Sequence, residues 1–325
     1  MSNAFPILSC EDALRNLRAF GGSKRELYLA MYSSVYGGIV TDPAIMTIPL
    51  DDHMCHRGHA VFDTATVENG NLYNANIHIE RILNSARAAE IHHSFTKEWI
   101  HDVLIAVAKV ARAPDLALRY WITSGPGDFS YSPSGCIAPS FYCLAFQGFH
   151  MPSDPNGISE VTIPCSEVGM KQHPVGTLKS TNYLPNVLLH MAAKRRGGCY
   201  GIWRTDEGLL KEGPINSVII LDSTGTVRTP PATDILRSCT TRRALAIAAE
   251  NGYVVSDNTL PVHIDEAYQA SEIFLVGGDL HIIAVTTLDG HVIGDGKPGA
   301  LWKLVNDGVM NESRNGTYDS IKIEY

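Results

Sequence analysis

At 325 residues the chain is long enough for two domains of ordinary size, each with its own core. Hydrophobic residues make up 45% and charged residues 18%, the balance of a soluble globular protein rather than of a disordered or membrane-spanning one. The net charge of −8 and the lack of a basic run argue against non-specific nucleic-acid binding, whereas a small anionic ligand needs only a local positive pocket. Seven cysteines, at 10, 55, 136, 143, 165, 199 and 239, form neither a CxxC pair nor an evenly spaced framework, which points to free thiols in a reducing compartment. No apolar run reaches membrane-spanning length, and Glu11 and Asp12 come too early for a signal peptide. A cytoplasmic protein is expected, or an organellar one if a transit peptide has been removed.

Cys10 to about Phe20 is spaced for a short helix with Ser9 as N-cap, and Met31 to Leu50 reads as a hairpin with turns at Gly37-Gly38 and Asp42-Pro43. A cluster of imidazoles, carboxylates and an arginine, Asp51 to His59, precedes the strand Ala60–Val67 and its return through Leu72-Tyr73. His53, His56 and His59 would line up as metal ligands on a helix. Gly58 and the strand behind it argue against a helix, so hydrogen bonding is expected there and no metal. Helices are predicted over His78–Ile91 and Trp99–Ala113, and strands over Leu116–Ile122 and Ser140–Phe146. Phe149 to Gly157, with Pro152 and Pro155, is the linker candidate. It divides a small domain, 1–148, from a larger one, 158–325, across 149–157.

Beyond it the pattern predicts strands at Ile158–Ile163, Gly201–Arg204, Ser217–Leu221, Thr226–Arg228, Glu272–Val276 and Ile283–Thr287. Helices are predicted from Tyr183 to about Arg196, Arg237 to about Glu250, Ile264–Ala270 and Gly299–Met310. Hairpin-rich sheets covered by helices make this an α+β chain.

Three features carry chemistry. Lys179 stands between an extended segment and a helix opening with Ser180-Thr181-Asn182, where shielding from water would lower its pKa and make it nucleophilic toward a carbonyl carbon. Ser238-Cys239-Thr240-Thr241 begins a helix, whose free amides suit a phosphate, with Arg81 on another helix as countercharge. Glu212, at a strand edge before Gly213-Pro214, could keep a pyridine nitrogen protonated. Together these are the parts needed to hold pyridoxal 5′-phosphate.

In order and setting, His78-Ile79-Glu80-Arg81-Ile82, Leu178-Lys179-Ser180-Thr181-Asn182-Tyr183-Leu184, Glu212-Gly213-Pro214-Ile215-Asn216-Ser217-Val218 and Ile235-Leu236-Arg237-Ser238-Cys239-Thr240 resemble the fold-type IV pyridoxal-phosphate enzymes, from about Tyr36 to Met310. The resemblance implies a small N-terminal α/β sandwich, a larger C-terminal pseudo-barrel and a homodimer. It also implies roles: Lys179 as Schiff-base lysine and proton carrier, Tyr183 on the ring hydroxyl, Glu212 on the ring nitrogen, and Arg81, Ser238, Cys239, Thr240 and Gly278 around the phosphate.

Within the family, His56 to Thr64, Leu118-Arg119-Tyr120-Trp121 and Gly125 to Phe129 look most like plant-type D-amino acid transaminases, which are related to aminodeoxychorismate lyase. That likeness makes Arg57, His59 and Arg119 candidates for the substrate carboxylate, with Phe62 and Asp279 lining the substrate side. The expected reaction moves an amino group between a D-amino acid such as D-alanine and a 2-oxo acid. Aminodeoxychorismate lyase is the alternative, then branched-chain or (R)-amine transamination.

Overall fold

The structure is a computed structural model that describes residues 5–20, 22–148, 154–233, 235–278 and 282–325. Most of the proposed linker, 149–153, lies outside the described residues, as does Asp279.

The first half contains α1 (Cys10–Ala19), β1 (Tyr28–Ser33), β2 (Gly38–Val40), α2 (His53–Arg57), β3 (Ala60–Glu68), β4 (Asn71–Tyr73), α3 (Ala75–Ala88), α4 (Lys97–Ala111), β5 (Leu116–Thr123) and β6 (Ser140–Phe146). The second contains β7 (Ile158–Glu160), β8 (Thr162–Pro164), α5 (Leu184–Arg195), β9 (Ile202–Arg204), β10 (Asn216–Leu221), β11 (Thr226–Arg228), α6 (Cys239–Glu250), β12 (Val254–Val255), α7 (Ile264–Tyr268), β13 (Glu272–Gly277), β14 (Ile282–Leu288), β15 (His291–Val292), α8 (Ala300–Asn315) and β16 (Ser320–Lys322).

The N-terminal sheet runs β16-β4-β3-β5-β6-β1-β2. Its spine is the antiparallel pairing of β3 with β5, Ala60 opposite Thr123 through to Val67 opposite Leu116. One face packs on α3 and α4, whose apolar stripes Ile79, Ile82, Ala86 and Ile100, Leu104, Val107 are fully buried with Leu118, Ile122 and Phe141. The second sheet runs β12-β11-β10-β13-β14-β15, with β7 parallel to β14. One core beneath it gathers Ile202, Val218, Leu275 and Val285; the other packs Ile219, Phe274 and Val276 on α6 and α8.

Four departures from the sequence pattern have physical causes. The predicted strand Ile158–Ile163 is two strands in two sheets, because the buried Glu160 side chain turns inward to accept hydrogen bonds from the backbone N–H groups of Val161, Tyr200 and Gly201 at 3.0, 2.7 and 2.8 Å. The histidine cluster does form a helix, one turn long. Asp52 caps its start by accepting from the Met54 N–H at 2.9 Å, and Gly58 ends it at φ +66°, so the glycine serves as a C-cap. The last helix runs on to Asn315, since Glu312 accepts from Arg243 Nε at 3.0 Å and from the Tyr73 hydroxyl at 3.1 Å. Lastly, β16 returns to the first sheet, Ile321 opposite Leu72, a pairing that no local pattern announces.

Among the described residues no helix is long and apolar enough to cross a membrane, and all seven cysteines are free.

Candidate active site

Lys179 sits where the two halves meet. Its carbonyl accepts from the Phe62 N–H on β3 at 2.9 Å, the Thr181 N–H donates to the Ala60 carbonyl at 3.0 Å, and Ser180 bridges Val61. The segment is thus a short strand pinned to the edge of β3. Gly58 completes the grip: its carbonyl accepts from Thr181 Oγ1 and Asn182 Nδ2 at 3.0 and 3.1 Å, and a Cβ there would lie 2.7 Å from Asn182 Oδ1. With the backbone held this way the amine points to the ring of Phe62, 4.8 Å from its centroid. Burial, helped by the nearby Arg81 and Arg119 charges, lowers its pKa to about 8.

Arg81, on α3, reaches the same place under tight control. Its Nε and Nη2 donate to the two oxygens of Asp63 at 2.8 and 2.7 Å, and its Nη1 to the Arg237 carbonyl at 3.3 Å. Asp63 is wholly buried on β3, with His78 Nδ1 3.0 Å from its Oδ1. Burial alone would raise the Asp63 pKa, but the Arg81 guanidinium and His78 hold it well below the carboxylate range. The pair is bidentate and nearly dry, the strongest geometry for an arginine and a carboxylate.

One cavity brings Lys179 and Arg81 together with Tyr183, Glu212, Ser238 and Gly278. Glu212 accepts from the Leu236 N–H at 3.2 Å, and burial pushes its pKa up to about 7, with Lys171 pulling the other way. Ser238 caps α6 by accepting from the Thr241 N–H at 3.1 Å and lines the cavity, while Cys239 and Thr241 line the cleft beside it and Thr240 lines neither. Cys239 and Thr240 are buried in that turn, and burial raises the Cys239 thiol pKa. A larger cleft of about 1170 Å³ between α3 and the turn 230–233 opens on the same wall, sharing Arg81, Ser217, Leu236 and Ser238 with the cavity.

The residues expected on the substrate side are more dispersed. Phe62 stacks edge to face on Tyr183, with ring centroids 5.2 Å apart. Arg119 lies behind it, 5.7 Å from the Phe62 ring and 5.6 Å from Phe146, and donates from Nε to Thr64 Oγ1 at 3.1 Å. His59 is engaged on both ring nitrogens, with the Ala89 carbonyl at 2.8 Å and Ser124 Oγ at 3.0 Å. Arg57 is exposed and donates to the carbonyls of Phe129 and His56 at 2.9 and 2.8 Å.

The cavity also holds side chains that the sequence pattern does not single out, Lys171, Asn186 and Asn216, while Thr241 of the predicted phosphate turn lies on the adjoining cleft. Asn216 Nδ2 and Oδ1, Asn186 Oδ1 and Thr241 Oγ1 are buried without a hydrogen-bond partner, an arrangement that costs free energy unless a ligand meets it. Asn216 lies four residues after Glu212 in a quoted motif, which was the available signal. Lys171 lies in an irregular segment and had none.

The profile of the amino-transferase class IV family matches residues 60–288. The chain is 39% identical over 315 residues to a D-amino-acid transaminase, chloroplastic, of Arabidopsis thaliana, covering 96% of this chain and 83% of that one. It is 29% identical to a putative branched-chain-amino-acid aminotransferase of Methanocaldococcus jannaschii, covering 83% and 92%. Among solved structures, the branched-chain amino acid aminotransferase of Escherichia coli superposes with a TM-score of 0.82 at 19% identity, over 91% of this chain and 100% of that one, a likeness of fold.

Proposed function

The chain belongs to the class IV aminotransferases, and from that premise we propose that it is a pyridoxal-phosphate-dependent transaminase acting between a D-amino acid and a 2-oxo acid. The observation that carries this reading is the convergence of Lys179, Glu212, Arg81 and the α6 N-terminus on one cavity. The donor set fits the cofactor: an amine with a lowered pKa, a buried carboxylate, helix amides beside an arginine, and unpartnered polar atoms on Asn186, Asn216 and Thr241. When bound, pyridoxal phosphate supplies an electron sink that lets a proton leave the Cα of an amino acid.

The protein's part is to hold and to move protons. Lys179 would hold the cofactor covalently, and a pKa of about 8 gives it a neutral share near neutral pH, so Nζ can both take and return a proton. Glu212 would face the ring nitrogen and Tyr183 the ring oxygen. The amides of Cys239 and Thr240, with Ser238 and Gly278, would take the phosphate by the helix-terminus effect, with Arg81 as its countercharge. Asp63 aims Arg81 rather than competing for the ligand, and Phe62 with Tyr183 shields the amine from water. Arg57, His59, Arg119 and Asp279 would bear on substrate selection.

D-alanine with 2-oxoglutarate is the test. Pyruvate should form only when the acceptor is present, and no exchange with any D-amino acid would sink the reading. Pyruvate released from aminodeoxychorismate without an acceptor would identify a lyase instead.

A homodimer is also proposed. On α5, Leu184, Val187, Leu188 and Met191 fall at helical spacing on the outer face, between 44% and 68% exposed, which supports a covered surface beside the site. Sedimentation should give twice the 35.4 kDa chain mass, and Val187→Glu with Leu188→Glu should shift the protein to monomer.

A further inference from the structure

We infer that Lys171 is the cation that receives the substrate's α-carboxylate, a role resting on the transaminase reading and serving donor and acceptor alike, since both carry that group. Lys171 lines the cavity of Lys179 and Glu212. Its Nζ stands 4.5 Å from the centroid of Tyr183, whose ring meets Phe62 at 5.2 Å, and Phe62 in turn stands 4.8 Å from the Lys179 Nζ. The two amines are thus joined through a pair of contacting rings, near enough for the Lys179 charge to act on Lys171.

The cations around the cavity differ in how far they are already engaged. Arg81 is bound by both oxygens of Asp63. Arg119 lies between Phe62 and Phe146 and bonds Thr64. Arg57 is directed to the Phe129 carbonyl, away from the cavity walls. Lys171 contacts only a ring face: among the described residues no carboxylate lies within ion-pair distance of it and no hydrogen bond engages it. Glu212 is close enough to favour its charge but does not pair with it. A half-buried ammonium held over an aromatic ring is partly compensated by the ring's quadrupole, and an incoming carboxylate would complete the compensation. Burial lowers the Lys171 pKa, in line with a charge that lacks its anion. A lysine accepts a carboxylate as a point charge, which tolerates the shift in carboxylate position between an amino acid and a 2-oxo acid better than a bidentate arginine would.

The cofactor's ring oxygen is the other anion that could meet this ammonium, so the experiment separates the two. Holoenzyme is titrated with propionate, a carboxylate that cannot react, and binding is read as a shift of the bound cofactor's visible absorption rather than as turnover. Lys171→Met should weaken propionate binding about 100-fold, and Lys171→Arg should restore it to within about tenfold of wild type. Affinity for pyridoxal phosphate should stay within about threefold in both variants. Unchanged propionate affinity in Lys171→Met would overturn the inference, and so would a matching loss of cofactor affinity, which would assign Lys171 to the ring oxygen. If Lys171→Met does not fold, crystals of wild-type holoenzyme soaked in propionate decide: its carboxylate should lie against Lys171 Nζ, and density elsewhere would refute the role. A wild-type protein that takes up no pyridoxal phosphate would fail the transaminase reading as well, whereas one that does, with propionate indifferent to Lys171, fails this inference alone.

Discussion

Lys179→Ala should lower transamination by at least about 10⁴-fold while leaving a folded protein, because the substitution removes the group proposed as both covalent anchor and proton carrier. The stability side of this variant is as informative as the kinetic one. An amine whose pKa falls to about 8 on folding costs stability wherever the unfolded chain would protonate it: the native form is most favoured above the unfolded value near 10.4, and that advantage is lost as pH falls from there through about 8. Glu212 adds a penalty with the opposite pH dependence, growing as pH rises from about 4.3 through its folded value near 7. The cofactor-free protein therefore stores free energy in its site around neutral pH. Lys179→Ala should be no less stable than wild type there, and more stable by about 1–3 kcal/mol if its buried surroundings close over the alanine. Chemical denaturation of both proteins without cofactor measures it, and a clearly destabilised variant would contradict the argument.

The second large effect is expected at Asp63. Truncation to alanine leaves Arg81 and His78 facing each other in a dry interior with no carboxylate between them. Breaking a buried pair in this way costs about 3–5 kcal/mol, equivalent to a fall in melting temperature on the order of 10 °C. It should also release the guanidinium from its aim and weaken pyridoxal-phosphate binding, which Asp63→Asn would do less severely by keeping hydrogen-bond acceptance. The pH dependence has a definite sign. Because the folded carboxyl is held well below the ordinary range, its contribution is fully present above the unfolded value near 3.9 and is lost as pH falls below it. Wild type and Asp63→Ala should thus converge in stability under acid. A gap that persists unchanged at pH 2–3 would refute the ion-pair account.

What the sequence could disclose depended on how local each feature is. Ser9 as a cap, the period of α3 and α4 and the strands β3 and β5 are written within a few residues, and the structure reproduces them. Lys179, Arg81, Glu212 and the α6 start were legible as an ordered set of motifs, each spanning fewer than a dozen residues, and the structure brings all four to one cavity. Lys171, Asn186 and Asn216 gain their meaning only from what approaches them across the fold. The helix over His53–Arg57 was missed because its final glycine reads as a breaker until its capping geometry is seen. The split at Glu160 and the return of β16 both depend on partners roughly 40 and 250 residues away in sequence.

The pinning of the Lys179 segment to β3 has a bearing on inheritance. The amine proposed to perform the chemistry is carried by one half of the chain, but its position is templated by Ala60, Phe62 and Gly58 in the other. Neither half can then be exchanged with that of a relative as a free-standing module, since a graft that altered the edge of β3 would move the lysine even if every cofactor contact in the second half were preserved.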